Sequence, residues 1–234
     1  MPRGPVSYED VVAALPRVRS VLKPTALFEW SGLSELLGCR YFVKHENHQP
    51  VGAFKIRGGI NLVSTLTDKE RAAGILGCST GNHGQSLAYA ANKFRVECSI
   101  VVPVGTNPGK CAAIRRLGAK LIEHGLDFDE ARTYVETELG QSGLRYVHSA
   151  NEPKLIAGVG SMAVEIFDEL PDPDVILVPI GLGSGTASTC IVAKHLRPET
   201  QIIGVQAEGA PAVAMSWKNG QIGTNFPCNT WAEG

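Results

Sequence analysis

The sequence predicts an α/β fold with mainly parallel sheets, and three observations lead to that prediction. Short β-rich runs alternate with helical stretches from residue 41 onward, which is typical of βα units. Of the 234 residues, 44% are hydrophobic and 19% charged, enough to bury the core of one large domain or two small ones. Glycine-rich stretches follow three of the apolar runs, where ligands bind in such folds.

The periodicity of apolar residues gives the individual elements. Strands are predicted at 41–46, 74–79, 98–103, 119–124, 144–149, 174–180 and 201–207. Helices are predicted between them at 54–66, 83–93, 108–117, 127–139, 153–170, 184–196 and 210–218. Parallel pairing is expected because each helix can carry the chain back across the sheet.

Charge and cysteine content point to a small-molecule ligand. The net charge is -1, from 22 basic and 23 acidic residues, so neither nucleic acid nor an anionic membrane surface is an expected partner. The first residues lack an apolar signal core, and no segment reaches the ~18 apolar residues that span a bilayer. We therefore expect a cytoplasmic protein. Its six cysteines are widely spaced, which predicts reduced thiols and no metal site.

The stretch VGAFKIRGG, residues 51–59, places Lys55 among apolar and glycine neighbours. Desolvation and the positive end of the predicted helix both lower the pKa of a lysine, and the neutral amine is a nucleophile. Arg57 is expected to pack or pair elsewhere, because it points off the helical face that Lys55 occupies. The alternative is an ordinary exposed lysine at a helix start.

The stretch PIGLGSGTAS, residues 179–188, separates a strand from a helix by three glycines. Such a turn lets backbone amides converge on an anion, and hydrogen bonds of roughly 1.5–3 kcal/mol each would outweigh a helix dipole of about 0.3–1 kcal/mol. Phosphate is the natural ligand. One alternative is a turn without a ligand. Another is a dinucleotide site, in which Gly181 and Gly183 fit the fingerprint, Thr186 does not, and Glu208 would bind the ribose.

The stretch CSTGNHGQS, residues 78–86, also joins a strand to a helix. Asn82 offers an amide donor and a carbonyl acceptor, which suits a carboxylate together with a ring oxygen. The alternative is that Ser79 or Asn82 caps the next helix and that His83 is an ordinary first-turn residue. Taken together, the three loops favour pyridoxal phosphate, which needs a lysine for its aldehyde, a donor near its ring oxygen and a phosphate anchor.

These segments resemble the threonine/serine dehydratase and serine racemase family of pyridoxal-phosphate enzymes, of the tryptophan-synthase-β fold type. KHENHQPVGAFKIRGGIN resembles the lysine segment of that family, STGNHGQSLAYAA its substrate loop and VPIGLGSGTAS its phosphate loop, in the same order. GVQAEGAPAVAMS and the final TWAEG resemble later segments.

The resemblance implies a two-domain, three-layer αβα protein of fold type II. Residues 1–71 and 148–234 would form the larger, cofactor-binding domain, and 72–147 a smaller mobile domain. Chains of the family continue past the TWAEG-like segment, so the sequence is expected to be truncated at its C-terminal end. Homodimers are common in the family, and a homodimer is expected here.

The resemblance also implies roles for individual residues. Lys55 would form the Schiff base and accept the α-proton, with Phe54 flanking the ring. The substrate carboxylate would bind to Ser79, Thr80, Asn82 and His83, with Asn82 also near the ring oxygen, and the phosphate to Gly181, Gly183, Ser184, Gly185 and Thr186. The implied reaction is α,β-elimination from a β-hydroxy amino acid to a 2-oxo acid and ammonia.

Several residues depart from the family pattern. Val51 and Ala53 replace hydroxyl residues near the lysine. Thr80 stands where racemases of the family carry a serine that acts on the opposite face of the substrate, so it is a second candidate catalytic residue. Gln206 and Ala212 replace the carboxylates of a divalent-cation site, so no metal is expected.

The leading hypothesis is therefore a pyridoxal-phosphate lyase of the threonine or serine dehydratase kind. Three alternatives remain open from the sequence: a racemase or β-replacement enzyme of the same fold, a non-catalytic truncated homologue, and a dinucleotide-binding oxidoreductase.

Overall fold

The computed structural model describes residues 4–137, 139–223, 226 and 228–231. Its helices are α1 (Tyr8–Arg19), α2 (Ser31–Leu37), α3 (Lys55–Ser64), α4 (Asp68–Ala73), α5 (Asn82–Phe94), α6 (Pro108–Arg116), α7 (Phe128–Thr137), α8 (Pro153–Glu169), α9 (Ser184–Leu196) and α10 (Ala212–Asn219). Its strands are β1 (Leu27–Glu29), β2 (Phe42–Lys44), β3 (Ile75–Cys78), β4 (Cys98–Val102), β5 (Lys120–Glu123), β6 (Arg145–Tyr146), β7 (Val175–Pro179) and β8 (Gln201–Val205). Two 3₁₀ turns cover Glu46–His48 and Leu139–Ser142.

A four-stranded parallel sheet has the strand order β5-β4-β3-β6. Ile75 of β3 pairs with Cys98 on one side and with Arg145 on the other. The chain runs from β3 through α5 to β4 and then through α6 to β5. Each helix returns the chain to the start of the next strand, so these strands lie parallel. The carboxyl ends of the strands therefore meet at one edge of the sheet, where the loop before α5 begins.

This sheet is the middle of three layers. Leu87 of α5 packs with Ile100 of β4 on one face, in a cluster that also includes Ile114 of α6. On the opposite face, Ala131 and Val135 of α7 pack against neighbouring residues of the same strands. The alternation of side chains along β-strands produces this division, and the two apolar faces account for the helix-sheet-helix order.

The described residues also form two smaller sheets. Strands β7 and β8 pair in parallel, and apolar residues of β7, β8, α8 and α9 share one core cluster. The large hydrophobic side chains of the same two strands that remain exposed are Val175, Leu177, Ile203 and Val205. Strands β1 and β2 pair antiparallel, so the sheets are mainly but not entirely parallel.

Helix α3 lies between α5 and α8, and a pair of adjacent glycines makes both contacts close. A Cβ on Gly58 would lie 2.8 Å from the backbone oxygen of Leu155 in α8. A Cβ on Gly59 would lie 2.4 Å from Ser86 Oγ in α5. Both distances are shorter than van der Waals contact, so only glycine allows this helix to pack between its two neighbours. The helix that begins at Lys55 is consequently held on two sides.

The seven predicted strands and seven predicted helices are all present, with ends that differ by a few residues. The prediction missed β1, α1, α2 and α4. Strand β1 has three residues and α2 has no buried residue, so neither carries a usable hydrophobic period. A capping box at Ser7 and Asp10 marks the start of α1 and was a readable signal.

The four-stranded sheet is built from residues 75–146, all within the predicted smaller domain. The division into 1–71 with 148–234 and 72–147 stays a prediction. Of the TWAEG segment, residues 232–234 lie outside the described part of the chain. Within the described ranges, no helix combines the length and the hydropathy needed to cross a bilayer.

Candidate active site

Lys55 is the first residue of α3, one residue after the predicted start of that helix, and its side chain points toward the glycine loop before α9. Its Nζ donates to Ser184 Oγ at 3.2 Å and lies 5.3 Å from the centre of the Phe54 ring. Burial lowers the pKa of the Lys55 ammonium below its usual value. Among the described residues no side chain caps this helix start, and the positive end of a helix also disfavours the charged form.

The glycine loop between β7 and α9 brings the next group of predicted residues together. Gly183 has φ +93°, a left-handed conformation, and it forms the N-cap of α9 without a side-chain hydrogen bond. A Cβ on Gly185 would lie 3.2 Å from the Phe54 ring, so this glycine lets Phe54 pack against the loop. The start of α3 and the glycine loop are therefore in direct contact, through Lys55 with Ser184 and through Phe54 with Gly185.

Thr186, also in this loop, carries a buried hydroxyl that has no hydrogen-bond partner among the described residues. Buried polar groups are normally satisfied, and an orphan at a functional loop calls for a ligand or an ordered water. The amides at the start of α9 and this hydroxyl belong to the same loop-helix junction, and both are hydrogen-bond donors suited to an anion. A phosphate group fits the chemistry of these residues.

The loop between β3 and α5 provides a second set of backbone donors at the carboxyl edge of the sheet. Ser79 Oγ accepts a hydrogen bond from the backbone N–H of Gly81 at 3.2 Å. Helix α5 starts at Asn82 behind the N-cap Gly81, and no side chain in the described part of the chain caps it. Asn82 and Ser79 therefore do not cap the helix, and within the described residues the side chains of Thr80 and Asn82 make no hydrogen bond.

His83 has its side chain inside the protein. Its exposed fraction is 4%, and its Nε2 lies 3.2 Å from the backbone oxygen of Val147, just beyond β6. Burial lowers the pKa of His83 to about 4; the hydrogen bond to Val147 opposes this shift, and the charges of Lys55 and His148 add to it. The neutral ring thus braces the loop against β6, and a contact between His83 and a ligand would come from its backbone N–H.

Sequence reasoning missed two features of the site. Ser86 Oγ donates to the backbone oxygen of Lys55 at 2.6 Å, which connects α5 to the start of α3. Arg57 pairs away from Lys55, as expected, and the second missed feature is the identity of its partners in a buried cluster, Glu46 and Glu165. The position of Ser86, four residues after Asn82, was the one available signal, because residues at that spacing share a helix face.

Known proteins match most of this chain. Residues 18–234 match the family model described as pyridoxal-phosphate dependent enzyme. The chain is 37% identical over 216 residues to an L-threonine ammonia-lyase of Thermotoga maritima, covering 92% of this chain and 54% of that protein. It is 34% identical over 229 residues to a beta-hydroxyaspartate dehydratase of Paracoccus denitrificans, covering 97% and 72% respectively.

Solved structures give the same fold. The structure of maize serine racemase superimposes with a TM-score of 0.92 at 26% identity, covering 96% of this chain and 68% of that one. The chain thus spans between about half and three quarters of the length of these relatives. The fold-type II architecture expected from the sequence is confirmed, and the chain belongs to the family of pyridoxal-phosphate-dependent enzymes.

Proposed function

We propose that this protein binds pyridoxal phosphate through Lys55 and catalyses α,β-elimination of a β-hydroxy amino acid to a 2-oxo acid and ammonia. One observation carries the proposal. The half-buried Lys55 amine contacts Ser184 in a glycine loop whose Thr186 hydroxyl has no partner within the described chain. A nucleophile and a phosphate-type donor set therefore lie next to each other.

The glycine loop would hold the phosphate through the amides and side chains of Gly181, Gly183, Ser184, Gly185 and Thr186. No Lys or Arg lies within this loop, so neutral donors must balance the anion. Hydrogen bonds from neutral donors to a charged group contribute roughly 1.5–3 kcal/mol each, so several of them suffice to anchor it. Phe54, packed beside Gly185, would flank the ring.

Lys55 would be the proton acceptor at the α-carbon of the substrate. Pyridoxal phosphate, when bound, supplies an electron-withdrawing ring that stabilises negative charge at that carbon. Because burial lowers the pKa of Lys55, a larger fraction of the amine is neutral near pH 7 than for an exposed lysine. The neutral Nζ can take a proton, and the adjacent Ser184 hydroxyl keeps the side chain on the side of the glycine loop.

The loop after β3 would bind the substrate carboxylate. Ser79, Thr80 and Asn82 surround the uncapped start of α5, where backbone N–H groups favour a negative charge. Asn82 would also donate to the ring oxygen. The hydrogen bond between His83 and the Val147 oxygen holds the loop in place against β6.

The names of the relatives support a small β-hydroxy amino acid as the substrate. The Thermotoga protein is called an L-threonine ammonia-lyase and the Paracoccus protein a beta-hydroxyaspartate dehydratase. Both substrates carry a hydroxyl on the β-carbon as the leaving group. Threonine and serine are therefore the first compounds to assay, with 3-hydroxyaspartate as the next.

A racemase is the second candidate, and Thr80 is the observation that favours it. Its half-buried hydroxyl makes no hydrogen bond within the described residues and lies in the loop that would face the substrate. A hydroxyl on the face opposite Lys55 could deliver a proton there. The similarity to a solved serine racemase supports testing this activity.

We also propose that residues 72–147 form a smaller domain that closes over the substrate, because they carry a sheet of their own. A homodimer in the cytoplasm is proposed for the assembled protein on the basis of the family to which it belongs.

The test is to mix the protein with pyridoxal phosphate, reduce it with borohydride and map the modified peptide. We expect an absorbing adduct on Lys55 that disappears in Lys55→Ala and persists in Lys154→Ala, which changes an exposed lysine of α8. Serine and threonine are then assayed for ammonia release and for the opposite enantiomer. An adduct that persists in Lys55→Ala would refute the proposed role.

A further inference from the structure

Ser86 is a buried serine that reaches from α5 to the main chain of Lys55. It is 0% exposed, and its Oγ donates to the Lys55 backbone oxygen at 2.6 Å. The donor and acceptor are 31 residues apart and belong to different helices. Most serine hydroxyls inside helices bond to a carbonyl of their own helix. The Ser86 bond instead joins two helices.

Helices α3 and α5 approach each other closely at the position of this hydrogen bond. Gly59 lies one helical turn after Lys55 on the same face of α3. A Cβ at Gly59 would lie 2.8 Å from the Ser86 backbone oxygen as well as 2.4 Å from its Oγ. The glycine thus brings the Ser86 hydroxyl within reach of the Lys55 carbonyl, and the hydroxyl in turn fills the space that the glycine leaves.

The same helix face that presents Ser86 begins at Asn82, four residues earlier. Asn82 is part of the loop proposed to bind the substrate, and Lys55 is the proposed proton acceptor. The hydrogen bond therefore links the backbone of Lys55 directly to the helix that starts in the substrate loop. At its other end, the Lys55 side chain is held by Ser184 of α9.

We propose that Ser86 is a positioning residue that fixes Lys55 relative to the Ser79–Asn82 loop. The proposal rests on the function proposed above. Ser86 acts through the Lys55 main chain and contacts no ligand. Proton transfer requires the acceptor and the α-carbon in near-attack geometry, and a displacement of about 1 Å can reduce a rate by on the order of a hundredfold. A bond that ties these two elements together therefore controls the rate of the step without contributing to ligand affinity.

The first experiment uses the protein without cofactor. Lysines are methylated with formaldehyde and cyanoborohydride in wild type, Ser86→Ala and Ser64→Ala. Mass spectrometry then gives the methylation rate of Lys55 relative to that of the exposed Lys154 in the same protein. Ser64 is the matched control. It is the last residue of α3, and its hydroxyl donates to a carbonyl of the same helix, that of Asn61. We expect Ser86→Ala to increase the Lys55 rate about fivefold, the effect of one buried hydrogen bond, and Ser64→Ala to leave it unchanged.

A second variant, Ser86→Cys, keeps a weak donor at the same position and should give an intermediate rate. It also serves in place of alanine if circular dichroism shows that Ser86→Ala is not folded. Equal Lys55 rates in wild type and the folded Ser86 variants would overturn the proposal.

The second experiment measures turnover with the α-deuterated substrate. Ser86→Ala should reduce kcat on the order of tenfold, keep KM near its original value and increase the isotope effect on kcat, because proton transfer becomes slower than the other steps. A loss of kcat that matches Ser64→Ala, or one without a larger isotope effect, would overturn the positioning role. If the wild type forms no adduct with pyridoxal phosphate, the proposed function fails, while the methylation comparison still tests the link between Ser86 and Lys55.

Discussion

Arg57 and Glu165 form a two-pronged ion pair in the protein core, with Nη1–Oε1 and Nη2–Oε2 distances of 2.7 Å each. Their exposed fractions are 0% and 2%. Glu46 accepts from Nε and Nη2 of the same guanidinium at 2.8 and 2.7 Å, and Lys44 Nζ lies 3.0 Å from Glu165. Because Arg57 is two residues beyond Lys55 on α3, this cluster fastens the lysine helix to α8.

The cluster contains two basic side chains, Arg57 and Lys44, and two acidic ones, Glu46 and Glu165. Burial raises the pKa of the Glu165 carboxyl, but the hydrogen bonds and charge of Arg57, followed by those of Lys44, outweigh it and leave the pKa below its usual value. Burial likewise opposes the charge on Arg57, and the two carboxylates more than compensate. The cluster is therefore stable only while all of its members are charged.

Replacing Glu165 by Gln should destabilise the protein strongly. The change preserves shape but leaves Arg57 and Lys44 without a full counter-charge in the core, which typically costs about 3–5 kcal/mol. Urea unfolding of the variant measures this. The matched control is Asp168→Asn, on the same helix, whose pair with Arg19 is exposed and 3.1 Å long. It should cost less than ~1 kcal/mol. Similar losses in both variants would contradict the assigned importance of the buried cluster.

Replacing Thr186 by Val should stabilise the cofactor-free protein and weaken the binding of pyridoxal phosphate. The buried Oγ1 has no partner among the described residues, and removing an unsatisfied buried group recovers about 1 kcal/mol or more. Loss of a donor to phosphate should reduce affinity by roughly tenfold, measured by titration of the cofactor absorbance.

Thr189 provides the control for that experiment. Like Thr186 it lies in α9, but it is fully buried and its Oγ1 donates to the Gly185 oxygen at 2.8 Å. Thr189→Val should therefore lower the free energy of unfolding by about 1 kcal/mol. The test is whether the two variants change the free energy of unfolding in opposite directions. If cofactor-free Thr186→Val is less stable than the wild type, the Thr186 hydroxyl is not unsatisfied.

The parts of the site that could be predicted are those encoded in short segments. A lysine at a helix start and a glycine loop after an apolar strand appear as local patterns, and the structure brings Lys55 and Ser184 together. Local patterns also gave the βα alternation, since helix and strand periods are read over a few residues. In the first forty residues, β1 and α2 are too short to show a period, whereas α1 was missed although its capping box marks its start.

What could not be predicted depends on pairs that are far apart in sequence. Arg57 and Glu165 are separated by 108 residues, so nothing near either one identifies its partner. His83 lies in the first turn of α5, next to the loop expected to bind a ligand, yet its ring nitrogen is hydrogen-bonded to the carbonyl of Val147. The direction of a first-turn side chain is decided by the neighbouring strand, which the sequence of the loop does not specify.

Replacing Gly59 by Ala should destabilise the protein by about 1–3 kcal/mol, because the new methyl group would overlap Ser86 and push α3 away from α5. The control is Gly32→Ala in α2, where a Cβ meets nothing within 4 Å. That change should stabilise by about 0.5–1 kcal/mol through helix propensity alone. Thermal and urea unfolding compare the two, and a stabilising effect of Gly59→Ala would contradict the close contact between the helices.

Replacing His83 by Gln should remove a specific part of the acid sensitivity of the fold. The pKa of His83 is lowered by burial to about 4, from 6.5 for the free side chain. Between these values the unfolded chain binds a proton that the folded protein does not, so the free energy of unfolding falls as the pH decreases. The accumulated loss is on the order of 3 kcal/mol from pH ~6.5 to pH ~4.

Urea unfolding at several pH values between about 4 and 7 measures this slope. His83→Gln should flatten the curve in that range, because Gln does not titrate but can still donate to the Val147 oxygen. The control is His124→Gln, which also removes one imidazole but at a position exposed to solvent. If the His83→Gln and wild-type curves run parallel, the buried ring does not stay neutral in the folded protein, and its role as an uncharged brace for the substrate loop is wrong.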